Sequence, residues 1–252
     1  MSMFSTPGAS RLLIVIASLW MSTVSVATPE GETLVRQADE ARGGGIPGLI
    51  WDVRAVTSGA DSDTLPEHRL RVKAAEAASL AEVLEPANSR GSKMLQVERN
   101  MWMTKPGLRK PVAISPRLRL TGQAAVGDIA ATNYAKDYEA TYLREERCGE
   151  RQCHVLDLVA RTKRTTYDRI TYWIDTERGT AVKADFLSPS GKRLKSARFE
   201  YGNVVELDGR SIPFISRMSI SDALSDSRTE LEYSRIQIEP VAASEFDVAN
   251  LQ

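Results

Sequence analysis

Arg69-Leu70-Arg71-Val72-Lys73-Ala74 decides how this chain is read, because an apolar side chain falls at every second position with a cation before each. A period of two puts Leu70, Val72 and Ala74 on one face of an extended strand and the three cations on the other. Such a strand is half-buried, with one wet face. Upstream, Trp51, Val53 and Ala55 alternate with Asp52 and Arg54 in the same way. Downstream, strands are expected over 94–98, 101–104, 138–147, 153–160, 169–175, 181–187, 195–201, 204–207, 212–220 and 228–238. Lys105-Pro106-Gly107, Ser188-Pro189-Ser190-Gly191 and Asp208-Gly209 are turn signals between them. Strands this closely spaced pair antiparallel, since parallel pairing needs a long crossover. The expected class is α+β, mostly β.

Two segments depart from the alternation. At the start, Thr28-Pro29-Glu30 opens a helix in which Leu34, Ala38 and Ala41 share a face, and Gly43-Gly44-Gly45 stops it. Residues 121–137 are small and weakly apolar, with no period of two. An insert of this kind reads either as a lid or binding loop, or as a short helix that closes one end of the sheet.

Before the helix, Arg11 is followed by the unbroken apolar run Leu12–Met21, and Ser25-Val26-Ala27 offers small residues at a signal-peptidase site. The run is about half the length needed to span a bilayer as a helix. Residues 1–27 therefore read as a cleaved signal peptide and 28–252 as one exported, periplasmic domain. The remaining composition excludes several classes. With 33 basic and 33 acidic residues the chain has no net charge, so nucleic acid is not an expected partner. An apolar fraction of 42% supports a packed core.

Cys148 and Cys153 enclose Gly149-Glu150-Arg151-Gln152 between two strand-like runs. A four-residue hairpin loop in an oxidising compartment predicts a disulfide. A metal site shared with His154 is disfavoured, because a strand sends Cys153 and His154 to opposite faces. The chain has no Gly-x-Ser-x-Gly elbow, His-Glu-x-x-His, phosphate-binding glycine loop or Cys-x-x-Cys. His68, beside Glu67, reads as a surface histidine. The expectation is a protein without catalytic residues, bound metal or cofactor.

Met101-Trp102-Met103-Thr104-Lys105-Pro106 resembles the tryptophan strand and turn of LolA-like outer-membrane lipoprotein-sorting proteins. The surroundings agree in order: Ala38-Asp39 on a helix, Glu82–Pro86, Lys93-Met94-Leu95, Tyr172-Trp173-Ile174-Asp175, Gly191–Lys195, Asp208-Gly209 and Ile212-Pro213. The alanine-rich stretch Gly127–Thr132 stands where the family carries an acidic and aromatic segment. The resemblance implies a strongly curved antiparallel sheet, an incomplete barrel covered on its open side by short helices. It also implies a monomeric carrier of lipoprotein acyl chains or lipid, working towards the outer membrane, with an inner-membrane transporter of the resistance–nodulation–division (RND) type as a partner. Two other readings are an envelope-stress sensor of mislocalised lipoproteins and an envelope hydrolase. If the implied cavity exists, Trp51, Val53, Leu70, Val72, Met101 and Met103 are its expected liners, with Trp102 and Ile129 near the mouth. Strand parity keeps Trp102 from facing the same way as Met101 and Met103.

Export generates the first test. Protein isolated from the cell envelope should begin at Thr28 by N-terminal sequencing, and an intact Met1 on cytoplasmic material would overturn the signal-peptide reading.

Overall fold

The computed structural model describes residues 30–59, 67–76 and 78–251, so the signal peptide and its cleavage site lie outside the described residues. Helix α1 (Gly31–Glu40) buries Val35, Ala38 and Asp39 and is followed by a turn through Gly43, whose φ of 89° suits glycine. The strands then follow the alternation closely. They are β1 (Leu49–Ser58), β2 (His68–Ala75), β3 (Ala78–Glu85), β4 (Lys93–Val97), β5 (Asn100–Thr104) and β6 (Val112–Ile114). After a two-strand hairpin, β7 (Arg119–Thr121) with β8 (Ala124–Ala125), come the one-turn helices α2 (Val126–Ile129) and α3 (Tyr134–Asp137). The second half contains β9 (Tyr138–Cys148), β10 (Arg151–Ala160), β11 (Arg169–Asp175), β12 (Ala181–Leu187), β13 (Arg193–Glu200), β14 (Asn203–Leu207), β15 (Arg210–Phe214), β16 (Arg217–Asp222) and β17 (Arg228–Ile238).

Thirteen of these strands form one antiparallel sheet in the order β6-β5-β4-β3-β2-β1-β17-β16-β13-β12-β11-β10-β9. The terminal strands β6 and β9 are not paired with each other, so the sheet is not closed into a barrel. The hinge of the topology is β17, which returns from the end of the chain to pair with β1 and sets Val53 opposite Tyr233. On the other side of β1, Trp51 faces Val72 and Val53 faces Leu70. Register carries the same apolar row outward through Ala81, Met94 and Met103. The other half of the sheet adds Met218, Phe199, Ala184, Tyr172 and Leu156 to that face. One contiguous core therefore lines the concave side of the sheet.

The outer face is wet. Arg71 is paired with Asp52 at 2.9 Å, and Arg54 bridges Glu67 and Glu232 at 2.8 and 3.0 Å. Exposed pairs of this sort fix cross-strand register more than they stabilise the fold. The outer face carries two apolar patches, one around Cys153, Val155 and Trp173 and the other at β3 and β4. Leu80 and Leu95 are covered there by Leu251, with Trp102, Phe246 and Val248 packed around them.

The structure differs from the sequence expectations in several places, the short strands β6, β7 and β8 among them. Strand β3 was not expected, because Ala78–Glu85 hides its period behind alanines and glutamates. The single strand expected over 212–220 is two, β15 and β16. Ile215 leaves the strand line to donate its N–H to the Ala41 carbonyl, and β15 pairs only with β14. Trp102 is not at a cavity mouth but on the outer face, under the C-terminal residues. The hairpin loop at the cysteines has two residues, not four, since Cys148 pairs in register with Arg151. Cys153 sits opposite Glu146, so the two cysteines are diagonal neighbours on one face, disulfide-bonded with a Cα–Cα distance of 6.0 Å.

Because that crosslink closes a very short loop, replacing both cysteines by serine should lower unfolding stability by about 2 kcal/mol without abolishing the fold. Thiol labelling of the native protein under non-reducing conditions should modify neither cysteine.

Candidate functional site

An open sheet leaves its concave apolar face needing a cover. The cover here is α1 together with the segment from β7 to α3, which corresponds to the irregular residues 121–137 of the sequence. Val126, Ile129 and Tyr134 from this segment insert into the core, and each is buried. Half of the other residues in 121–137 are alanine or glycine, so its grip depends on a few polar anchors. The Tyr167 hydroxyl donates to the Asp128 carboxylate at 2.9 Å, and that carboxylate also accepts the Ala125 N–H at 2.9 Å. Lys195 Nζ donates to the Gln123 carbonyl at 2.5 Å, and the Gln123 N–H reaches Thr229 Oγ1 at 2.7 Å. Gly127 lies so close to Thr166 that an added Cβ would be 2.0 Å from its Oγ1.

The lid also meets α1. Ala135 N–H donates to Asp39 Oδ2 at 2.8 Å, while the Thr132 N–H approaches the Arg42 carbonyl at 3.5 Å. Gly44 is packed against the lid backbone, since a Cβ there would stand 2.2 Å from the Thr132 carbonyl oxygen. Beside this seam a groove of about 420 Å³ runs between Arg36, Asp39, Gly44, Asn133, Ala135 and Lys136.

Trp51, Val53, Leu70, Val72 and Met101 are brought together on the concave face, with Met103 partly buried against them. Ile129 is on the lid but is plugged into this core rather than set at a mouth, with 1% of its surface exposed. The cavity that reaches the core from the rim, beside Met101, Tyr134 and Tyr138, measures about 30 Å³. That is room for about one water molecule. The concave face is thus filled by the protein's own side chains, with the lid down.

Two charged residues under the lid were not foreseen as site residues. Asp39 is buried, and burial pushes its carboxyl up to about 7, against the opposing effects of the Ala135 N–H and the Arg42 charge. Arg42 is buried among aromatic rings. A signal for it existed: Arg42 stands four residues after Ala38 and seven after Val35, on the stripe that α1 buries. Among the described residues no cluster of His, Cys, Asp and Glu has metal-ligating geometry, and no helix is long and apolar enough to cross a membrane.

A family model described as an uncharacterized protein matches residues 75–252. Comparison with curated proteins returns no match. Among solved structures, a LolA superfamily protein from Nitrosomonas europaea is 29% identical, with a TM-score of 0.76 over 87% of this chain and 98% of that one. A putative outer membrane lipoprotein-sorting protein domain from Vibrio parahaemolyticus is 18% identical, with a TM-score of 0.73 over 88% and 97% of the two chains. A DUF1329 family protein from Desulfovibrio piger shares the same fold at 17% identity, TM-score 0.73, over 88% and 98%.

Asp39 gives the site a pH dependence whose sign follows from its raised affinity for a proton. Between the ordinary carboxylate range and about pH 7, the folded chain keeps a proton that the unfolded chain releases, so stability falls as pH rises through that window. At about 1.4 kcal/mol per tenfold change in proton affinity, the loss is on the order of 4 kcal/mol. Asp39→Asn, which keeps an acceptor for the Ala135 N–H, should therefore be about 1–3 kcal/mol more stable than the parent at pH 8 and no more stable at pH 4.5. Urea unfolding at the two pH values checks this.

Proposed function

Because the chain is LolA-like and belongs to the family whose model spans residues 75–252, we propose that it is a periplasmic carrier and not an enzyme. In this reading it holds acyl chains of lipoproteins or lipids against the concave face of the sheet and delivers them towards the outer membrane. An RND-type transporter as the donor or acceptor partner is part of the proposal and rests on the family resemblance. The observation that carries the reading is the continuous apolar row from Met103 through Val72 and Trp51 to Phe199, covered by small, separable segments instead of a second sheet. The names of the Nitrosomonas and Vibrio neighbours, a LolA superfamily protein and a putative lipoprotein-sorting domain, support it.

The energetics suit reversible loading. Each acyl methylene removed from water is worth about 0.8 kcal/mol, so a free chain in the periplasm is strongly driven into any apolar site. The largest side chains that the lid inserts to close the site are Val126, Ile129 and Tyr134. Lifting them exposes apolar lid surface that the incoming chain then replaces. Loading is thus an exchange of one apolar filling for another.

Lipid mass spectrometry of extracts from the purified mature chain should identify an acylated species. A fluorescent fatty acid should bind reversibly and be displaced by phospholipid or by acylated peptide. In Gly44→Ala the new methyl must push against the Thr132 carbonyl oxygen, so the lid seats less firmly. The rate of probe uptake should rise several-fold in that variant by stopped-flow fluorescence. Failure of the parent protein to bind any acylated ligand would remove the carrier reading.

A further inference from the structure

Arg42 is 5% exposed, in the centre of the space between sheet and lid. Its guanidinium stands 4.6 Å from the centre of the Phe199 ring and 5.3 Å from that of Tyr134, with Nη2 4.0 Å from Met218 Sδ. A guanidinium keeps its charge at any pH the protein meets. Yet no carboxylate lies within ion-pairing distance of it among the described residues, and its buried Nη1 has no hydrogen-bond partner. Asp39 and Asp128 are both near enough to feel the charge without pairing with it: Asp39 Oδ2 accepts the Ala135 N–H while its Oδ1 has no hydrogen-bond partner, and Asp128 is held by Tyr167 and the Ala125 N–H. Aromatic faces offset only part of the cost of burying such a cation.

The groups around Arg42 are unsatisfied in the same way. The Tyr172 hydroxyl is buried without a hydrogen-bond partner, that of Tyr201 has only the Ala181 backbone N–H in reach, which leaves its own proton without an acceptor, and that of Tyr233 has only a 4.0 Å contact with Met218 Sδ. Tyr134, Tyr172, Tyr201 and Tyr233 all lie within the electrostatic reach of the guanidinium. They come from α3, β11, the end of β13 and β17, so the fold converges on this point from four directions. Burial raises the phenols' affinity for their protons, which leaves the hydroxyls as neutral donors.

We propose that Arg42, with the Tyr172 and Tyr201 hydroxyls, binds the anionic oxygen head of an amphiphile, a carboxylate or a phosphate, whose acyl chain lies along the concave face. The proposal deepens the carrier reading and rests on it. A guanidinium flanked by hydroxyl donors is a receptor for such oxygens, and charge-assisted bonds of this kind are strong when desolvated. A small hydrated anion would have to lose its water to reach a site sealed by the lid. An anion attached to an acyl chain is carried in by the burial of that chain. The site thus favours fatty acids or lysophospholipids with a free anionic head over acyl chains joined to a neutral group.

The test uses the mature chain and four probes: a long-chain fatty acid, its methyl ester, lysophosphatidic acid and the matching monoacylglycerol. Affinities are read by displacement of a fluorescent acyl probe. The parent should bind the fatty acid or the lysophosphatidic acid at least tenfold tighter than its neutral counterpart, and the arm that shows the larger ratio tells a carboxylate head from a phosphate head. In Arg42→Met the ratio should fall to about one while the methyl ester still binds. Tyr172→Phe, which removes only a hydroxyl, should reduce the ratio in part and serves if Arg42→Met does not fold. Equal binding of charged and neutral probes by the parent would overturn the headgroup site and leave the carrier reading standing, as would a ratio that survives in folded Arg42→Met. If none of the four probes binds, the carrier reading falls and this inference with it.

Discussion

An antiparallel sheet that curves without closing must have its inner face covered by something other than itself, and the rest of this structure follows from that requirement. A closed barrel would fill its interior with its own strands and leave no edge. Here β6 and β9 are not joined, so α1 and a lid built from β7, β8, α2 and α3 supply the missing wall. Neither is large. α1 has ten residues, and each lid helix has four, too short to hold helical form without tertiary support. The cover is therefore the part of the molecule whose order depends most on contacts made elsewhere.

Buried polar groups determine where that cover sits. Asp128 ties the first lid helix to Tyr167, Lys195 ties Gln123 to β13, and Asp39 ties the second lid helix to α1. Apolar contact alone would let a segment of alanines and glycines slide, since such residues offer little shape to grip. Each directional bond to a buried carboxylate rules out most alternative positions, although burying the carboxylate costs stability. The raised proton affinity of both Asp39 and Asp128, caused by burial in each case, records that cost. Specific seating of the lid has been obtained at the expense of tightness.

The strands were legible in the sequence because half-burial forces a period of two, and Leu70, Val72, Trp51 and Val53 show it without interruption. The side of the sheet on which each row falls was not legible. Met101 and Met103 share a face, but only the tertiary structure shows that it is the concave one, and that Trp102 turns outward to meet Leu251. Large apolar side chains on both faces of β5 made the parity undecidable locally. β3 was hidden because alanine and glutamate carry too little contrast. Arg42 is hidden for the opposite reason. A cation at the end of a helix, just before three glycines, suits the helix dipole and solvent so well that its place on the apolar stripe does not by itself mark it as buried. The residues that reach across the fold to it, Tyr172, Tyr201 and Tyr233, are scattered over some sixty positions of sequence and read singly as core.

Under a carrier reading, the filled concave face is what allows release. An empty apolar cavity would bind an acyl chain with the full transfer free energy, and the chain would be very slow to leave. When Val126, Ile129 and Tyr134 already occupy the space, binding gains only the difference between the burial of the acyl chain and the burial of those side chains. Each of them is worth roughly 1.5–3 kcal/mol when buried, so together they offset about six to eleven acyl methylenes. The lid side chains thus compete with the cargo for the same apolar surface, and their return to it assists unloading. A lid with larger plugs would release more readily and hold less firmly. The small, alanine-rich segment of this chain sets the balance towards retention.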